Sequence, residues 1–209
     1  MLAGRQYFTR AEQAYDRAEQ AYDRAVALIR SLDETFQSDA FRDDPGERYD
    51  STVTLYQFDV ILQAILLQMA LSDGVFHRLE RRLIDRITRY GDLLVYLRKA
   101  TNGAVALSWE KIDGLSAETK RELARRLPDI LERTCNSFVH PLAVADGMVD
   151  SVDFLEKLEN ELQEIALSLS NIDGVRREAE RSAYVEMLEH LLTRRWKQMK
   201  EASLAEAEG

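Results

Sequence analysis

From Ala11 to Leu32, apolar residues recur at alternating spacings of three and four: Ala11, Ala14, Ala18, Ala21, Ala25, Leu28 and Leu32. A second column, Phe8, Tyr15, Tyr22, Ile29 and Phe36, repeats every seven residues beside the first. Both periods fall on one face of an α-helix, so the pattern predicts a long amphipathic N-terminal helix over 1–37, flanked by Arg10, Arg17 and Arg24. Residues 10–23 are a tandem heptad, RAEQAYD RAEQAYD, and its alanines let another helix approach closely. Two occupants fit that face: the chain's own domain, or a protein partner or second copy engaged as in a coiled coil. In the second case the contacts would fall on Tyr15, Tyr22, Ala18 and Ala21.

Residues 38–50, SDAFRDDPGERYD, have no apolar period and gather Asp, Pro, Gly and Ser, which predicts a linker. Beyond it, apolar periodicity predicts helices near 52–72, 76–90 and 91–100, the last ending at Asn102-Gly103. Ser116 is placed to cap a helix that starts just after it. Pro128 is expected to open a further helix towards His140, and Pro141 to kink or end it. The last two helices are expected over about 150–170 and 175–203, the second with Ala183, Met187, Leu188, Leu191 and Leu192 on one face. The expected organisation is a helix over 1–37, a linker over 38–50, an all-α domain over 51–203 and a frayed tail over 204–209.

Composition supports that class. The chain of 209 residues is 45% hydrophobic with nine glycines and three prolines, which favours a compact bundle of long helices over many short strands. Its net charge of −9 argues against holding nucleic acid by neutralising phosphates and favours cations or basic partners. A single cysteine, Cys135, excludes an internal disulfide and a cysteine zinc cluster. The opening segment MLAGRQYFTRAEQ has no continuous apolar stretch, so no secretory signal is expected and the expected location is cytoplasmic. The most apolar segment, 53–71, is interrupted by Gln57, Asp59, Gln63 and Gln68 and is expected to be a buried core helix rather than a membrane span.

Three Asp-Gly pairs each precede an acidic residue by seven positions: Asp73-Gly74 before Glu80, Asp146-Gly147 before Asp153, and Asp173-Gly174 before Glu180. Each copy sits where an apolar helical run gives way to a charged one, so glycine is expected to break the helix and leave the acid near the start of the next. The same spacing occurs within an EF-hand loop, but such a loop needs oxygen ligands at its first and third positions. Those positions hold Met69 and Leu71, Leu142 and Val144, and Leu169 and Asn171. Only Asn171 offers an oxygen, which excludes EF-hand calcium sites. Carboxylates from two turns could still converge on one divalent cation, the candidates being Asp73, Glu80, Asp146, Asp150, Asp153, Asp173 and Glu180. The competing role is helix capping.

Catalytic patterns are lacking in the sequence. His77, His140 and His190 form no metal-binding spacing, Glu186 and His190 lack a third partner, and Cys135 and His140 fall out of helical register. Neither a Walker loop nor a dinucleotide-binding glycine pattern occurs, and no small-molecule substrate is indicated. Arg194, Arg195, Trp196 and Lys197 make a basic tip suited to a helix C-terminus.

The repeated unit of apolar helix, Asp-Gly turn, acid and apolar helix resembles the TerB-like family, known from bacterial tellurite-resistance operons and found as a module in some membrane-anchored J-domain co-chaperones. The segment Ala145-Asp146-Gly147-Met148-Val149-Asp150 with Asp153 matches best; Ser72 and Ile172 stand where the family has alanine, and three turns occur where two are typical. The resemblance covers roughly 53–195. It implies a compact all-α domain with acidic patches acting in stress-response or defence assemblies alongside membrane or metal-binding partners, in peripheral contact with membrane complexes, and it does not imply catalysis. The expected function is such an interaction module, working through the acidic turns and the heptad helix. The alternative is a divalent-cation-responsive sensor built on the same carboxylates.

Overall fold

The computed structural model describes residues 2–37, 49–103, 107–148, 153–172 and 178–207. These form α1 (Leu2–Gln37), α2 (Ser51–Leu71), α3 (Arg78–Ile87), α4 (Leu93–Ala100), α5 (Trp109–Asp113), α6 (Ala117–Met148), α7 (Phe154–Asn171), α8 (Glu178–Leu188) and α9 (Arg194–Ala207), with a π-helical turn, Glu189–Thr193, between the last two. No strand occurs among the described residues, so the protein is an all-α helical bundle.

The axis of the bundle is α2. It packs against α1, α3, α4, α6, α7 and α8, and nearly every side chain from Thr54 to Leu71 is buried. An apolar run with no polar face can be stable in water only when other helices surround it. By length and composition it is the one helix among the described residues that could cross a membrane, but most of it is covered by protein. Asp50 caps its start, accepting from the amide of Thr52 at 2.9 Å.

The heptad helix α1 belongs to the same core. Its partners are α7 above all, then α2, α3 and α6. Ala14, Ala18, Ala21 and Ala25 are fully buried, and their small side chains allow the close approach that α7 makes. The two chain ends flanking the linker are also fastened together: Ser51 donates to Asp33 at 2.6 Å, and the rings of Phe36 and Tyr49 stack at 4.8 Å. One continuous apolar cluster therefore runs from Ala11 to Leu192. The linker itself, apart from Tyr49 and Asp50, lies outside the described residues.

Several boundaries differ from the sequence expectation. Pro128 opens no helix and Pro141 ends none: α6 runs through both. Each proline forfeits an amide bond, but the same helix buries Leu127, Leu131, Cys135, Phe138, Val139 and Leu142. That packing outweighs local propensity. Gly147 likewise lies within α6, which reaches Met148. The segment expected as one helix over 175–203 is divided by the π turn, and α9 continues to Ala207, into the residues expected to fray.

Candidate functional site

The first acidic turn closes on itself. Gly74 has φ +86°, and a Cβ there would lie 2.7 Å from the Cβ of Ala117 at the start of α6, so only glycine fits. The Asp73 carboxylate accepts from the amide of Val75 at 2.7 Å, and its carbonyl accepts from Arg121 at 3.0 Å. Three residues on, His77 and Glu80 form a capping box. The Glu80 carboxylate accepts from the His77 amide at 2.7 Å, while His77 Nδ1 accepts from the Leu79 amide at 3.5 Å. Glu80 is only 1% exposed, which places it inside the helix start rather than open to solvent.

The second turn applies the same chemistry across a longer gap. Asp146, near the end of α6, accepts from the backbone amides of Phe154 and Leu155 in the first turn of α7, the latter at 3.4 Å. It also accepts from the indole nitrogen of Trp196 in α9 at 2.9 Å. One carboxylate thus joins three helices. Burial pushes its pKa above the usual carboxylate range, opposed by those three donors and reinforced by neighbouring Asp153. Asp153 is the N-cap of α7, accepting from the Glu156 amide at 2.9 Å, and is itself exposed.

Of the third turn, Glu180 is buried in the first turn of α8. Asp150 and Asp173 lie outside the described residues. Among the described residues no three His, Cys, Asp or Glu side chains come together as a metal site would require. At Asp73, Glu80, Asp146 and Asp153 the carboxylates meet backbone amides.

The heptad residues require a correction. Tyr15 is 4% exposed, and Ala18, Ala21 and Tyr22 are 0% exposed, all within the chain's own core. They offer no surface to a partner. The seven-residue offset of the tyrosines is instead answered from α3 and the segment after it: Arg82 and Arg86 lie over the Tyr15 ring at 5.8 and 5.3 Å, and Arg89 lies over Tyr22 at 5.2 Å. The Tyr15 hydroxyl donates to the Leu79 carbonyl at 3.3 Å.

A polar junction inside α2 was legible in the sequence only as an interruption. Asp59 is fully buried, and its carboxylate accepts from the Tyr22 hydroxyl at 2.8 Å and from three successive amides, Arg89 at 2.8 Å, Tyr90, and Gly91 at 3.0 Å. Gln63, one turn later, donates to Thr88 Oγ1 and the Gly91 carbonyl, both at 2.8 Å, and accepts from the Leu93 amide at 2.9 Å. Together they fasten the α3–α4 connection to the core. A Cβ on Gly91 would stand 2.5 Å from the Tyr56 carbonyl oxygen. The signal available in sequence was the spacing: two polar residues four apart share a helix face, and both need partners when that face is buried.

The histidines and cysteine stay apart. His77 is a cap, whereas His140, His190 and Glu186 are exposed. Cys135 is buried in α6, and burial pushes its thiol up to about 12, which leaves it unreactive. The expected basic tip is partly tied down: Arg195 donates to Asn136 and lies 4.0 Å from Glu132.

Set beside known protein families, curated proteins and solved structures, the chain matches none of them.

Proposed function

We propose that the protein is a non-catalytic interaction module of a bacterial stress-response or defence assembly of the TerB-like kind, and that it docks a basic protein partner around its acidic turns. The observation that carries this reading is the division of labour at the α6–α7 turn. Asp146 is turned inward onto helix amides, while Asp153 and Glu156 at the same helix start remain exposed. The inner acid builds the joint and the outer acids present charge. With a net charge of −9 over the chain, such a surface attracts a basic partner. The heptad face has no part in docking, because α7 and α2 already cover it.

The test is affinity capture from a bacterial extract with the full chain and with the double variant Asp153→Asn/Glu156→Gln. Asn retains an N-cap acceptor, so the fold is conserved while two charges are removed. Loss of captured partner with an unchanged melting temperature supports the reading. Identical recovery by both proteins rejects it.

The second reading, a divalent-cation-responsive sensor, is favoured by the proximity of Asp146 near the end of α6 to Asp153 at the start of α7, whose charge adds to the cost of ionising Asp146. It differs in its readout, since a cation bound only by the folded protein must raise stability.

A further inference from the structure

The geometry points to α9 as a hinged strap that opens about the π turn while the rest of the bundle stays folded, uncovering the Cys135 ridge of α6 and releasing the Asp146 turn. Three observations carry this. The first is the hinge. The amide of Arg194 bonds back to the carbonyl of Glu189, a five-residue step that breaks the α-helical ladder between α8 and α9, with no side-chain cap at its start. Such π turns interrupt a helix locally and mark places where it can change course.

The second is the kind of attachment. Beyond the hinge, α9 meets the apolar core through Trp196 and Met199, both only partly buried. Among the described residues its polar ties to α6 include the Trp196 indole to Asp146 at 2.9 Å and the Arg195 guanidinium across Asn136 and Glu132 on one ridge of that helix. On the near side of the hinge, by contrast, Met187 is fully buried, and so is Leu192 within the π turn itself. A segment with no fully buried side chain among its described residues belongs to the low end of a protein's range of local opening energies.

The third is what lies beneath. Asn136 and Glu132 flank Cys135 on α6, and the charge of Arg195 is felt at the thiol, opposing the rise that burial imposes. Lifting α9 removes Arg195 from that ridge and Trp196 from Asp146 together. The strap therefore guards the same turn whose outer acids are assigned to docking, yet its opening is a property of the fold and stands or falls independently of any partner.

Cys135 is the only thiol in the chain and reports the opening directly. The experiment follows the reaction of excess dithionitrobenzoate with the intact protein as urea is increased, below the unfolding transition. Opening of the strap alone exposes little surface, so the rate is expected to rise only shallowly with urea, unlike the global unfolding constant. Trp196→Phe removes one tie and is expected to speed labelling roughly tenfold at low urea. Arg195→Gln is expected to act in the same direction. Ile29→Val, a core change in α1, is expected to weaken global stability and leave the low-urea labelling rate unchanged. The proposal is overturned if labelling follows global unfolding in every protein, so that Ile29→Val accelerates it as its stability loss dictates. It is equally overturned if neither tether variant labels faster than the native chain.

Discussion

The hydroxyl of Tyr22 donates to the carboxylate of Asp59 at 2.8 Å, joining residues 37 positions apart in the fully buried centre of the bundle. The contact converts the duplicated heptad from a pattern into a structural element. Its second tyrosine supplies a side-chain donor to a carboxylate that also accepts from three backbone amides. Tyr22→Phe keeps the ring and deletes that donor. A hydrogen bond to a charged acceptor contributes about 1.5–3 kcal/mol, and a loss of that order is expected from urea unfolding at neutral pH. A loss below about 0.5 kcal/mol would show that the amides alone satisfy Asp59.

Stability should carry a pH signature from the same group. Burial raises the pKa of Asp59 above its ordinary value of 3.8, even though four donated hydrogen bonds oppose the rise. The folded state then holds its proton more tightly than the unfolded chain. Stability from this group is fully present below pH 3.8 and is lost as pH rises through the folded-state pKa. Asp59→Asn removes the titration while keeping an acceptor for the amides. The cost of the substitution is therefore expected to be greatest at acid pH and to shrink as pH rises, measured by urea unfolding across the range. A cost that grows with pH would contradict the sign.

Two glycines should resist substitution for different reasons. Gly74→Ala meets both a left-handed backbone at φ +86° and the Ala117 Cβ at 2.7 Å. The backbone conformation alone costs about 1–2 kcal/mol, and the overlap adds to it. Gly91→Ala meets no left-handed backbone but drives a Cβ against the Tyr56 carbonyl at 2.5 Å, so the Asp59 junction must shift, at a cost of about 1–3 kcal/mol. Gly103, with φ +82° and open space around it, serves as the reference: Gly103→Ala should show the backbone cost without the overlap. Melting temperatures of the three variants separate the two contributions.

Much of this fold could be read from periodicity, and the reasons are particular. The strict spacing from Ala11 to Leu32 gave α1 and its buried face, and the unbroken apolar run gave α2. Asn102-Gly103 ended α4 as expected, with the Gly103 amide returning to the Arg98 carbonyl at 2.8 Å. The prolines misled because their local cost is fixed while the burial along α6 is collective. The choice between self-packing and partner-binding for α1 could not be made from α1 alone, since an apolar face does not name what covers it. Nor could the direction of the acids: Asp146 and Asp153 are seven apart in sequence, yet one turns inward to three helices and the other faces solvent. That distinction depends on where Trp196 arrives, 50 residues later.

The central claim is that the inner carboxylates of the acidic turns are joints closed on helix amides, leaving the outer acids for a partner. Its most direct test is thermal unfolding of the native chain with millimolar calcium, magnesium, manganese or zinc, paired with calorimetric titration. The account predicts no saturable heat and no rise in melting temperature, because a ligand specific for the folded state must stabilise it. A saturable rise that disappears in Asp146→Asn would contradict the account and establish the turns as a cation site.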